Sequence, residues 1–263
     1  MRLRGLIKHA VHSYLPGRAG WFDNYGTKVH FPHDSLVFKL TCDQGIYEKD
    51  LVNLMLQAAR AGTTVFDVGA NIGLMAVPIL QGVPGCQVCS FEPSPNTLPY
   101  LNKTCAGAPW GDRWTIVPKA AGEQPGTASF SIAAKALGAL DGFQNTARAG
   151  RMKEVSVEVT TIDDEWLRLG RPEVSVVKID IEGAETLALR GAKALIAQAR
   201  PVVFLEWNRE NLAAYGVPVE HLLEIAAEHR CQVLAAPHLV RVHNGLELRL
   251  HMAATETFVL VPA

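Results

Sequence analysis

Apolar positions along this chain change their period repeatedly, and the changes outline a repeating unit. "IYEKDLVNLMLQAAR" carries Leu51, Leu54, Met55 and Ala58 at helical spacing, which predicts an amphipathic helix with Gly62 close behind as a stop. From there, apolar runs of strand length alternate with helical patterns. "TTVFDVG", "CQVCSFEP" and "RWTIVPKAA" predict strands, while "GLMAVPIL", kinked or shortened by Pro78, and "TLPYLNKTCAG" predict helices. "TASFSI" and "EVSVEVTTI" read as edge or accessory strands around "AKALGALDGFQNTARAG", a Gly/Ala-rich stretch expected to be a mobile loop. The alternation resumes with "DDEWLRLG" as a short helix, "VSVVKIDI" as a strand, "AETLALRGAKALIAQA" as a helix or helix pair, "RPVVFLEW" as a strand and "VEHLLEIAAEHR" as a helix. "QVLAA" and "ETFVLVPA" close the chain as strands with no convincing helix between them, suited to an antiparallel pair at one edge. Ahead of everything, "VHFPH" and "SLVFKL" read as weak strands.

Strands that alternate with helices imply right-handed crossovers and a mostly parallel sheet with helices on both faces, an α/β fold of Rossmann-like type. Several strands are continuous apolar runs, as strands covered on both faces should be. Composition agrees: of 263 residues, 48% are hydrophobic and 19% charged, enough apolar material for a large core. The formal net charge is -1 and no basic stripe is evident, so nucleic acid is not an expected partner. No apolar run reaches the roughly 18 residues of a membrane span. The N-terminus lacks the apolar middle of a signal peptide, and the expected location is cytoplasmic. Arg2, Arg4, Lys8 and Arg18 fit either a weak membrane-surface helix or a plain surface lead-in. Five cysteines, an odd number, fit reduced thiols. Cys86 and Cys89 form a C-x-x-C pair without a second pair or a histidine at zinc spacing, so they read as structural.

The chemistry gathers at "VFDVGANIG". In an open parallel sheet, ligands sit at the carboxyl ends of the strands, and Asp67, Gly69, Asn71 and Gly73 stand at such an end. Glycine there gives positive φ and lets a ligand approach the backbone, although a tight turn with no ligand would use it too. The dinucleotide fingerprint fails, because Asn71 and Leu74 stand where its second and third glycines belong. No Gly-Lys-Ser/Thr follows either. The turn therefore suits a nucleoside without phosphate. Glu92, ending the next strand in "FEP", can accept from both ribose hydroxyls, or it is a surface carboxylate before Pro93.

With "GIYEKDL", "VFDVGANIG", "FEPSP", "TIDD" and "VKIDIEGAE" followed by "LRGA", the chain resembles the FkbM family of class I S-adenosylmethionine-dependent methyltransferases. The resemblance implies a seven-stranded sheet whose C-terminal strand is antiparallel. It implies S-adenosyl-L-methionine as cofactor and O-methylation of a hydroxyl on a sugar, glycolipid or polyketide-like small molecule; methylation of nitrogen or carbon is the alternative, and a non-catalytic nucleoside-binding protein a more distant one. By the same resemblance residues 1–60 form a lead-in and helix that cover part of the site, and residues 61–263 form the cofactor-binding domain. Tyr47 would pack on the cofactor and Glu48 meet its amino group; Pro93 and Ala120 complete the expected lining. An alcohol acceptor needs a base. Asp180, at the end of "VVKID", is the first candidate, with Lys178 on the same face to keep it ionised. Glu206, ending "VVFLE", and Glu182, opening the next helix, are the others. Asp180 could instead cap that helix, and Glu182 could serve its dipole. Two carboxylates over one crevice could also hold a divalent cation, but no histidine completes a recognisable ligand set, so no metal ligands are assigned. The sequence does not speak to oligomeric state.

Overall fold

The computed structural model describes residues 20–33, 35–133, 141–144 and 152–263. The basic positions of the N-terminus and most of the Gly/Ala-rich stretch lie outside the described residues. The chain opens with an antiparallel hairpin, β1 (Gly20–Asn24) and β2 (Thr27–Phe31), followed by helices α1 (Leu36–Gln44) and α2 (Lys49–Ala58). "SLVFKL", expected as a strand, is thus helical. The Ser35 hydroxyl accepts from the Phe38 N–H at 3.2 Å, and Val37, Phe38, Thr41 and Cys42 share the buried face. A short apolar run has too few positions for its period to separate strand from helix.

The alternating core begins with β3 (Thr64–Val68), α3 (Ala76–Gly82), β4 (Gln87–Phe91), α4 (Leu98–Gly107) and β5 (Trp114–Val117). Pro78 sits in the first turn of α3, where its missing N–H has no helical partner to lose, so it does not kink the helix. "RWTIVPKAA" divides at Pro118: β5 stays in the main sheet, while β6 (Ala120–Ala121) joins β7 (Gly126–Ala133) and β8 (Met152–Thr160) in a small sheet ordered β6-β8-β7. This is the expected accessory pair. The chain then runs through α5 (Ile162–Arg168), β9 (Val174–Ile179), α6 (Glu185–Arg190), α7 (Lys193–Ala199), β10 (Val202–Glu206), α8 (Arg209–Ala214), α9 (His221–Glu228), β11 (Cys231–Ala235), β12 (Val240–Val242), α10 (Gly245–His251) and β13 (Thr257–Pro262).

The main sheet has the order β12-β11-β13-β10-β9-β3-β4-β5. β10, β9, β3, β4 and β5 are parallel neighbours, and β13 inserts antiparallel between β10 and β11. The seven expected strands are present with the C-terminal one antiparallel; β12 adds an eighth, a three-residue partner of β11. A helix does separate the last two predicted strands. In α10 Leu248 is the buried residue while Leu246 and Leu250 are 70% and 65% exposed, so no apolar stripe marks it in the sequence. Asn244 caps it, accepting from the Glu247 N–H at 3.0 Å. Among the described residues no helix is long and apolar enough to cross a membrane.

Alternate residues of the central strands feed two cores. Val65, Val176 and Phe204 pack with α1 to α4, and Phe66, Val177 and Leu205 pack with α5 to α10. Each such side chain contributes about 1.5–3 kcal/mol when fully buried. All five cysteines are free thiols, and burial pushes Cys86 up to about 11 and Cys89 to about 12, values of packed rather than reactive groups.

Two glycines let the ends of these strands close on one another. Gly69, at φ +82°, lies so near β9 that a Cβ there would stand 1.9 Å from the Asp180 carbonyl oxygen. Gly73, at φ +92°, sits under Trp114, whose ring would be 2.7 Å from an added Cβ. The space that glycine leaves on the Cβ side is therefore filled by the protein itself, so close packing of the strand ends is one reason for glycine at both positions. Gly69→Ala should lower unfolding stability by more than about 3 kcal/mol in chemical denaturation, because backbone cannot yield as a flexible side chain can and alanine is strained at that φ. A loss below about 1 kcal/mol would contradict this packing.

Candidate active site

The site is built around a lysine in a strand with no exposed residue. All six positions of β9 are buried, and Lys178 in it lies directly across from Asp67 of β3 in the parallel register. Its ammonium donates to the Gly69 carbonyl at 3.0 Å and stands 3.2 Å from Asp180 Oδ2 and 3.7 Å from Asp67 Oδ1. Burial by itself would favour the neutral amine. Asp180, Asp67 and Glu48 together outweigh it and hold the Lys178 pKa above its ordinary range. Asp67 is fully buried, and that burial raises its carboxyl pKa even with Lys178 beside it.

The glycine-rich turn faces β4. Gly69 and Ala70 both donate to the Phe91 carbonyl, at 3.1 and 2.9 Å. Asn71 takes the left-handed conformation at φ +52°, which aims its N–H at Glu92 Oε2, 2.7 Å away. The other carboxylate oxygen of Glu92 accepts from the Ser94 N–H at 2.9 Å. Glu92 is 5% exposed, and burial pushes its pKa up to about 7 against the pull of those backbone donors. It is a buried carboxylate held in one orientation, not a surface acid.

Beyond β9 the chain makes a second tight turn, and its two glutamates divide the work. Glu185 Oε1 accepts from the N–H groups of Ile181 and Gly183, at 2.9 and 3.2 Å, and so braces the turn. Glu182, at φ +57°, faces the cavity instead. The helix begins only at Glu185 with Ala184 as its cap residue. This corrects two expectations: Glu182 does not open the helix, and Asp180 does not cap it. Asp180 is left facing the cavity beside Lys178, with its N–H bound to the Val68 carbonyl at 3.1 Å. Asn211, in the unforeseen helix α8, donates to Glu182 Oε2 at 3.0 Å and to Glu206 Oε2 at 2.9 Å. Carboxylate atoms of Asp180, Glu182 and Glu206 thereby come within 4.8 Å of one another. Burial, then Asp180 and Glu182, raises the Glu206 pKa well above its ordinary value, since neighbouring carboxylates resist ionising together.

These turns enclose a cavity, open to solvent, at the carboxyl ends of β3, β4 and β9. Tyr47, Glu48, Gly69, Asn71, Glu92, Pro93, Ala120, Asp180 and Glu182 of the expected set line it. Asp67 and Gly73 do not reach its surface; they act from behind, through Lys178 and Trp114. Glu206 lines an adjoining pocket that shares Glu48, Lys178 and Asp180 with the first. Burial, then Asp180, pushes the Glu48 pKa up to about 7, and Tyr47 is raised well above its usual range by burial and by Glu48. Sequence reasoning missed Lys119, Phe130, Asp141 and Phe143, which the small sheet and its connection bring to the wall. The "DG" within the Gly/Ala-rich stretch was the available signal, a turn pair in a segment otherwise without pattern.

The Methyltransferase FkbM domain profile matches residues 67–230, more than half of the chain. The hexuronic acid methyltransferase AglP of Haloferax volcanii is 30% identical over 146 residues, 55% of this chain and 56% of that protein. The chain thus spans little more than half the length of this curated relative. Among solved structures, the methyltransferase FkbM of Methylobacillus flagellatus KT is similar with a TM-score of 0.46 and 16% identity, covering 98% of this chain and 58% of that one. The precorrin-6y C5,15-methyltransferase of Geobacter metallireducens GS-15 is similar with a TM-score of 0.46 and 11% identity, over 82% of this chain and 89% of that one. On the strength of the profile match, which takes in the glycine-rich turn, Glu92 and the Asp180–Glu185 turn, the chain belongs to the FkbM methyltransferase domain family.

Proposed function

We propose that the protein transfers a methyl group from S-adenosyl-L-methionine to an oxygen of a sugar or a related small molecule. The observation that carries this reading is the meeting of Glu92 and Asp180 in one cavity that has no phosphate-binding loop. The wall suits the cofactor's chemistry. Glu92 is an oriented buried carboxylate for two ribose hydroxyls, and Glu48 is a second carboxylate for the amino group. Among the described residues of the wall, carboxylates outnumber cations, with Glu48, Glu92, Asp141, Asp180 and Glu182 beside Lys119 and Lys178, which favours a positively charged donor. The name of the relative from Haloferax supports a sugar acceptor.

The bound cofactor would supply an electrophilic methyl group, and the displacement is in line. The chain has three tasks. It holds the two reactants near contact, an effect worth roughly 7–11 kcal/mol when orientation is good. It excludes water, with Phe130 and Phe143 on the cavity wall. It removes the acceptor's proton, and Asp180 is the group placed to do so, because its side chain is 29% exposed toward the cavity and is held in place by Lys178 at 3.2 Å. Glu206 and Glu182, joined through Asn211, would bind the acceptor's other hydroxyls. A second reading has a divalent ion held by Asp180, Glu182 and Glu206, favoured by their 4.8 Å clustering.

Asp180→Asn should reduce turnover by about 10²–10⁴-fold with donor affinity little changed. Full activity in that variant would dismiss Asp180 as the base. Exhaustive chelation should leave turnover intact; loss on chelation, restored by added magnesium, would select the second reading. The pH dependence has a definite sign. Glu92 and Glu48 both titrate at about 7, and the donor's hydroxyls and ammonium prefer the ionised carboxylates. Affinity for S-adenosylhomocysteine should therefore rise from about pH 6 to about pH 8, with proton release visible as a dependence of calorimetric heat on buffer ionisation. A flat profile would show that neither group meets the ligand.

A further inference from the structure

Asp141 is buried at 8% exposure, has no individual role in the chemistry above, and is bound to two separate pieces of chain. Its Oδ2 accepts from the Ser94 hydroxyl at 2.5 Å and from Asn96 Nδ2 at 3.3 Å, and its Oδ1 accepts from the Ala133 N–H at 2.7 Å. Asn96 Nδ2 also donates to the Ala133 carbonyl at 3.1 Å. Next to it, Gly142 and Ser131 exchange both backbone hydrogen bonds, at 2.7 and 3.0 Å. One carboxylate thus ties the turn after β4 to the end of β7 and to the segment that carries Phe143, whose ring meets Phe130 edge-on at 5.8 Å.

The Ser94 it holds is the residue whose N–H fixes Glu92 Oε1. A chain of contacts therefore runs from Asp141 through Ser94 to the carboxylate assigned to the ribose. An ionised carboxylate accepts only, so it satisfies a hydroxyl, an amide and a backbone N–H at once. Asparagine of the same shape would turn a donor toward one of them. Burying a carboxylate among neutral donors is costly, and the contacts that offset the cost are all ones that align the cavity wall.

We infer that Asp141 is a positioning residue for the methyl donor: through Ser94 it sets the orientation of Glu92, and through Ala133 and Gly142 it sets the aromatic wall of Phe130 and Phe143. This rests on the reading of Glu92 as the ribose partner. The motif "FEPSPN" gains a physical account from it, with Glu92 meeting the ligand while Ser94 and Asn96 hold the wall to it.

The test is calorimetric titration of S-adenosylhomocysteine into the full-length chain. Asp141→Asn and Ser94→Ala should each weaken binding by about tenfold or more, as expected when one hydrogen bond to a charged group is lost. If Asp141→Asn fails to fold, Ser94→Ala, a milder change, carries the same expectation. In a Glu92→Gln background, Asp141→Asn should add less than about threefold, because both changes act on the same carboxylate; independent lesions would multiply in full. Unchanged affinity in the folded single variants, or full multiplication in the double variant, would overturn the inference while leaving the cofactor reading in place. Absence of binding to the unaltered chain would overturn the cofactor reading, and the inference with it.

Discussion

A buried ammonium holds this site together. Lys178 stands in a fully buried strand, and an unpaired charge there would be prohibitive. Its partners lie on three sides: Asp67 across the strand pair, Asp180 two residues on, and the Gly69 carbonyl from the neighbouring turn. Satisfying it requires β3 and β9 in one register and both of their following turns at one distance. Gly69 is what permits that distance, since the Asp180 backbone occupies the place of its missing Cβ. The cluster thus fixes where Asp180 points before any ligand arrives.

The second constraint is an excess of acid. Glu48, Glu92, Asp141, Asp180, Glu182 and Glu206 line the cavity and its adjoining pocket, with Glu185 behind the turn, and among the described residues Lys178 is the buried cation beside them. The fold handles these groups in different ways. Glu92, Glu185 and Asp141 accept hydrogen bonds from backbone and side chains that offset part of the cost of burying them. Asp180 has Lys178. Glu206 is driven toward its protonated form, and it shares Asn211 with Glu182. Carboxyl groups of one chemical type acquire unlike protonation tendencies from position alone, which allows one to act as acceptor of a proton beside another that donates a hydrogen bond.

The small sheet adds a wall that the parallel core does not provide. Pro118 ends β5 because it brings no N–H to the ladder, and the chain leaves the main sheet at the cavity rim. Ala120 and Lys119 reach the cavity at that exit, and β7 delivers Phe130. Asp141 then fastens this wall to the turn after β4. The parallel core's side of the cavity and the small sheet's side are in this way built from separate elements that meet at a few polar contacts.

Much of this was legible in the residues. Continuous apolar strands separated by helical periods determined a parallel sheet, because only strands covered on both faces can be apolar at every position. The spacing of Glu92 placed it beside the glycine-rich turn, and the acids at the ends of "VVKID" and "VVFLE" were expected over one crevice, where Asp180 and Glu206 come together. Tertiary structure decided the rest, for reasons that no local pattern carries. α10 buries one leucine, so it has no stripe to read. Whether Glu182 or Glu185 starts the helix depends on a left-handed residue and two backbone donors. The glycines of the turn serve contacts with Asp180 and Trp114, which are distant in the chain. Asp141 lies 47 residues from Ser94, and its role exists only once β7 and the turn after β4 stand side by side. A sequence displays the period of each element and the chemistry of each side chain; which buried charge meets which partner is settled by packing, because that partner is chosen across the fold and not along the chain.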